Sequence, residues 1–150
     1  MLLEGLIAIL IFSLGVLAVV GMQARSIGHA SLAKYRNDAS FAANKLIGLM
    51  WIATDAEMDS FKTGSAKYND WVAQELVRSL PPGLTGSSRA TVTVVEAPAT
   101  VSVSGVGAPL PAKRFDVAIQ INWRAPNENT AVPVHTYRVV TQIVRNPVVP

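Results

Sequence analysis

The sequence predicts an α+β fold: one long N-terminal helix, part membrane anchor and part amphipathic, packed on a four-stranded antiparallel sheet. Three observations carry this expectation. Residues 5–22 hold no ionisable side chain. No proline occurs before Pro81, so nothing forces a break in a helix that runs over residues 2–54. Beyond residue 90 the apolar period falls from about 3.6 to 2, the alternation of half-buried strands.

The first of these elements is the most apolar. As a helix, the 18 residues of 5–22 span about 27 Å at about 1.5 Å per residue, close to the roughly 30 Å of a bilayer's hydrocarbon core. No Lys or Arg precedes this run and no A-x-A cleavage pattern follows it, so it reads as a retained anchor, not a signal peptide. It also lacks the basic cytoplasmic flank that sets orientation. Either its orientation is unspecified or a basic leader has been removed. Gly15, Gly21 and Gly28 interrupt the helix. Such glycines serve close helix packing or, at Gly15 and Gly21, local flexibility.

The second half of the helix is patterned differently. In "KYRNDASFAANKLIGLMWIA" the residues Tyr35, Ala39, Ala42, Leu46, Leu49 and Ala53 recur at spacings of three and four, which gives one face to rest on a core. "TDAEMDSFKTGSAK" (54–67) breaks the pattern as a loop, and "YNDWVAQELVRSL" (68–80) reads as a short helix burying Trp71, Leu76 and Leu80. "PPGLTGSS" is a turn-rich connection.

Strands follow. Val92 and Val94 alternate with threonines, and "EAPAT" is expected to turn the chain back into a second strand through Val101 and Val103. "SGVGAPLPAK" (104–113) reads as an irregular loop. The clearest strand places Phe115, Val117, Ile119, Ile121 and Trp123 on one face. "APNENTAVP" is a loop, and residues 134–145 form the last strand, with Tyr137, Val139 and Ile143 sharing a face.

Composition excludes several function classes. There is no cysteine, hence no disulfide or thiolate chemistry. Only 15% of residues are charged, against roughly 25% in soluble domains. The net charge of +3 arises wholly in residues 89–150, which hold six Lys/Arg against three Asp/Glu. Arg114, Arg124, Arg138 and Arg145 fall on or beside the last two strands. They are the only footing for a nucleic-acid partner, well short of a dedicated basic stripe, and solvation of the surface is the favoured reading. His29 and His135 lie in different elements without other ligands at metal spacing. Asp55, Glu57 and Asp59 alternate as in a calcium loop, but the required Gly and distal Glu are missing. Neither a catalytic constellation nor a cofactor site is expected.

One residue remains unexplained by the anchor. Glu4 is the only charge in "LLEGLIAILIFSLGVLAVVG", and a carboxylate at a membrane span is costly unless it finds a partner. This apolar start with Glu4 inside it, the long helix and the antiparallel sheet together resemble the type IV pilins. "SLGVLAVVGMQ" and "FAANKLIGLMW" make the chain most similar to the PilV-type minor pilins. The N-terminal resemblance covers about 50 residues; the remainder matches in architecture alone.

The resemblance implies a non-enzymatic structural subunit that joins other minor pilins at the tip of a pilus, primes polymerisation of the major pilin and contributes to adhesion. It implies a prepilin peptidase that clips a basic leader, and a methylated new N-terminus at Met1 or one residue before it. In the family the glutamate is the fifth mature residue and here it is the fourth, so one mature residue precedes Met1 or processing differs. Glu4 would pair with the N-terminal amine of another subunit. Residues 1–25 would be the transmembrane and assembly half of the helix, and residues 26–150 a periplasmic globular domain. The subunit would sit in the inner membrane before assembly, alongside the pilus assembly machinery, and in the extracellular pilus afterwards. A pseudopilin of a type II secretion system shares all these features. A deletion that abolishes surface pili, as against exoprotein release, separates the two. A lone bitopic sensor or division protein is the third class, and there Glu4 would not matter.

Overall fold

The computed structural model describes residues 2–101, 110–126 and 128–145. The chain divides into two compact units, Met1–Lys34 and Tyr35–Pro150. Helix α1 (Leu2–Ile52) is continuous, two residues shorter at its end than expected. It stops where Thr54 takes an extended conformation and caps the next segment, a 3-10 helix over Asp55–Phe61.

Within the second unit, α1 presents Ala39, Ala42, Ala43, Leu46 and Met50 to the core. Leu49, expected on this stripe, is 41% exposed. Counting from Ala39, the buried series Ala39, Ala43, Leu46, Met50, Ala53 alternates steps of four and three, which keeps one face of a 3.6-period helix in line. Leu49 falls on the flank. The alanines have a second consequence. They let the following helical segment approach closely enough for the Trp71 indole N–H to donate to the Ala42 carbonyl at 3.0 Å.

That segment is α2 (Ala66–Trp71), a π-helical turn (Val72–Leu76) and α3 (Val77–Ser79). Trp71, Leu76 and Leu80 are buried as expected. Trp71 and Leu76 are five residues apart, a spacing that a regular α-helix would splay across two faces. The π turn brings both to one side.

The connection from residue 80 to 89 is organised by Arg89, only 5% exposed. Its guanidinium donates to the carbonyls of Leu84 at 2.7 Å, Leu76 at 2.9 Å and Pro81 at 3.2 Å. Three acceptors offset the cost of desolvating the cation. Gly83, at φ 123°, takes a backbone conformation that a side chain would strain.

The sheet has three strands, not four: β1 (Ala90–Val101), β2 (Leu110–Trp123) and β3 (His135–Arg145), antiparallel in the order β1-β2-β3. "EAPAT" does not turn. It continues β1, which pairs β2 from Ala90 opposite Ile121 to Val101 opposite Leu110. Pro98 is tolerated because of where it falls. The Val92 amide and carbonyl point away from β2, bonded to the Thr63 hydroxyl and amide at 2.7 and 3.1 Å. Pro98 has the same parity on this edge strand, so its missing N–H removes no ladder bond. β2 also begins earlier than expected, at Leu110. Val103 and residues 104–109 of the expected loop lie outside the described residues.

The face expected inward is inward. Phe115, Val117, Ile119, Ile121 and Trp123 are all buried, with Val92 and Val94 from β1 and Ile143 from β3 in the same core. Tyr137 and Val139 pack against it partly buried, and Trp123 stacks on His135 with ring centroids 5.8 Å apart. Arg145, the last residue of β3, closes the helix end. It donates to the carbonyls of Met50 and Trp51, both at 2.7 Å, and of Ala53 at 2.5 Å.

Two substitutions test this packing, read by chemical denaturation of the full chain in detergent. Ile119→Ala should cost about 2–5 kcal/mol through the cavity it leaves. Arg145→Met should cost about 1–3 kcal/mol by stranding the α1 carbonyls, whereas Arg138→Met on the solvent face of the same strand should be close to neutral.

Candidate functional site

The first unit is one helical segment with every described side chain accessible, apart from partial shielding at its end. Mean hydropathy over its most apolar 18 residues is 2.6; α1 is long and apolar enough to cross a membrane. Two serines of this unit are satisfied locally. The Ser13 hydroxyl donates to the Ile9 carbonyl at 2.7 Å, and Ser31 to Ile27 at 3.0 Å, so neither needs water or a partner chain.

Glu4 has no such local solution. It lies in the first turn of α1, where the helix dipole gives a carboxylate a modest preference. Among the described residues no side chain bonds or pairs with it. Its nearest Lys or Arg along the helix is Arg25, 21 positions or about 32 Å away. Met1 lies outside the described residues.

Gly15 and Gly21 sit inside unbroken helix. Among the described residues nothing lies within 4 Å of where a Cβ would sit on either, so packing among those residues does not require glycine there. Glu4 shares a helix face with Ala8, Ile11, Gly15 and Ala18, at alternating steps of four and three. Beside Gly15 is a shallow apolar notch bordered by Phe12, Val16, Val19 and Val20.

The second unit contains a feature the sequence reading missed. A cleft of about 420 Å³ opens between the last turns of α1, the Asp55–Phe61 segment and α2. Leu49, Ile52, Phe61 and Trp71 line it. Lys45 pairs with Glu75 and Lys67 with Glu57, the latter at 2.7 Å, and the Lys67 ammonium lies 5.0 Å from the Phe61 ring centre. Glu57 is held down to about 2, first by the hydrogen bond from Lys67 and then by those from the Thr54 amide and hydroxyl. The alternating acids of 55–59 thus have specific local work: "TDAE" is a capping box, a signal present in the sequence.

The four arginines of the last two strands do not act as one basic face. Arg145 closes α1, Arg114 bonds Asp116 at 3.2 Å, and Arg124 donates to the Asn129 carbonyl at 3.4 Å. Arg138 is exposed. No group of three or more metal-ligating side chains occurs among the described residues.

Comparison with known proteins finds no matching family model, no matching curated protein and no matching solved structure.

The low value of Glu57 fixes the sign of a pH effect. A carboxylate held below its ordinary 4.5 stabilises the fold fully above that value and loses the contribution as pH falls toward about 2. Glu57→Gln should therefore lower the melting midpoint at pH 7, and the gap to wild type should close between pH 4.5 and 2. Thermal melts of both proteins across that range check it; a constant gap would assign the effect to shape instead of charge.

Proposed function

We propose that the protein is a non-enzymatic structural subunit that assembles through its N-terminal membrane helix, as a minor pilin of a type IV pilus acting in the tip complex that starts assembly. Glu4 carries this reading. It is a lone carboxylate on an apolar helix, and the nearest Lys or Arg on that helix lies about 32 Å away, so its partner in a membrane or filament must be supplied by a chain end or by another chain. A charge left alone in an apolar setting is several kcal/mol more costly than one that is paired. The N-terminal amine of a neighbouring subunit suffers the same desolvation, and bringing the two together compensates both.

Two further features support assembly by helix packing. Ala8, Gly15 and Ala18 on the Glu4 face leave room for close approach, as small residues do between membrane helices. Gly15 and Gly21 serve no packing among the described residues. On this reading the helix anchors the subunit in the inner membrane, the second unit lies in the periplasm, and the subunit then moves into the pilus. Its partners are other minor pilins and the major pilin.

Glu4→Gln keeps the side chain's size and removes its charge. The variant should reach the membrane at the normal level, while its co-purification with sheared pili or partner minor pilins falls about tenfold or more. Glu4→Asp should recover part of the loss, because it displaces the carboxylate by only about 1.5 Å. Wild-type incorporation of Glu4→Gln, normalised to membrane-bound protein, would reject the pairing mechanism.

A further inference from the structure

The two edges of the sheet are finished differently. On β1, Val92 turns its amide and carbonyl away from β2 and onto the Thr63 hydroxyl and amide. Pro98 shares that outward parity and has no N–H to offer. The outer edge of β1 is thereby closed to a further strand. β3 lies at the opposite edge. Val92 stands opposite Ile119, and Ile119 opposite Val139. In an antiparallel ladder, a central residue that gives no bonds to one neighbour gives them to the other, so Ile119 bonds Val139. Thr136, Arg138, Val140, Gln142 and Val144 therefore aim their amides and carbonyls away from β2. Among the described residues these backbone groups have no other partner.

Such edges are ordinarily blunted by proline, lysine, a bulge or a covering segment. β3 reads HTYRVVTQIVR, without Pro, Gly or Lys and uncharged from Val139 to Val144. Its pairing with β2 runs from Lys113 opposite Arg145 to Trp123 opposite His135 with no bulge. On its solvent face Val140 and Val144 are 62% and 39% exposed. On its inner face Tyr137 and Val139 are only partly buried, so a strand laid beside them would extend the core.

We propose that the free edge of β3 accepts an extended segment of a different protein, which joins the sheet as a fourth, antiparallel strand. Backbone bonds hold it, and side chains set its register. Residues facing inward are apolar and lie beside Tyr137 and Val139; the residue opposite Arg138 is Asp or Glu. Arg138 is exposed, its ladder neighbour is Gln120, and it has no ion-pair partner among the described residues. A second copy of this chain does not meet these requirements. Its β1 edge is closed, and its β3 contains no carboxylate. The added strand thus ends the sheet and starts no chain of copies. The inference goes beyond the subunit reading and does not depend on it.

The test uses the full-length chain in detergent and a blocked synthetic peptide that alternates Thr and Val, with Glu in place of the Thr opposite Arg138. Residue-resolved hydrogen exchange is followed along β3. Without peptide, the amides of Arg138, Val140, Gln142 and Val144 should exchange at least about tenfold faster than those of Val139 and Ile143, which bond β2. Saturating peptide should slow the first group about tenfold and leave the second unchanged. Val140→Pro should weaken peptide binding about tenfold while the melting midpoint stays near wild type, because the lost N–H faces outward. A peptide with Lys in place of Glu should bind about tenfold more weakly, and Arg138→Glu should reverse that preference, which a misfolded variant could not do. The proposal is overturned if the outward amides are already protected without peptide, or if their protection rises with the concentration of the chain alone. Absent protection at saturating peptide, or equal binding of the Glu and Lys peptides, overturns it too.

Discussion

The second unit depends on how the end of α1 is closed. A helix leaves its last four carbonyls without partners, and α1 supplies no basic residue in its last turn. The donors come from Arg145, more than ninety residues later, whose guanidinium takes the carbonyls of Met50, Trp51 and Ala53. Asp55 stands 3.5 Å from the same group, an ion pair rather than a hydrogen bond. This side chain ties the end of the helix to the end of β3, beside the core that the two elements share. Sliding β3 by two residues would keep its apolar face inward but carry Arg145 away from the carbonyls. The alternation of apolar residues fixes which face is inside, and Arg145 fixes where along the helix that face sits.

The two halves of α1 obey different physics. In the first, apolar side chains surround the helix as far as Met22 and Ser13 bonds back to the Ile9 carbonyl, so over residues 2–22 Glu4 is the one charge. In the second, alanines create a shallow face, and larger residues from outside fill it. Trp71 reaches across to the Ala42 carbonyl, while Ile119 and Ile121 complete the layer from the sheet. Small residues therefore have two uses on one helix. Where other elements of the same chain cover them they make a core. Where nothing among the described residues approaches, as at Gly15 and Gly21, they leave room for another helix.

Charge is distributed by the same economy. Arg89, Arg114, Arg124 and Arg145 are occupied by carbonyls or a carboxylate of the chain itself, and Lys45 and Lys67 by glutamates. Glu128 is likewise drawn below the usual carboxylate range, mainly by its bond with His135 and also by the Ala125 amide, which closes the β2–β3 loop. The basic bias of the sequence is thus spent largely on internal structure. Glu4 and Arg138 are among the charges that have no ion-pair partner among the described residues.

The sequence by itself determined an N-terminal segment long and apolar enough to cross a membrane, the amphipathic half of α1, the inward face of β2 and β3, and the singular position of Glu4. Each rests on a local rule: composition against membrane thickness, a period of 3.6, a period of 2, one charge in an apolar run. Tertiary structure decided what local rules could not see. Pro98 signalled a turn by composition, yet its backbone points off the edge of the sheet at that parity, so β1 runs through it and three strands replace four. Leu49 matched a three-residue step, but the face is set by what packs on it, and Met50 took the place. The π turn answers the five-residue spacing of Trp71 and Leu76, which only their shared core makes visible. The cleft joins residues from α1, the capping segment and α2. Its paired and unpaired charges had no meaning until folding brought them within a few ångströms.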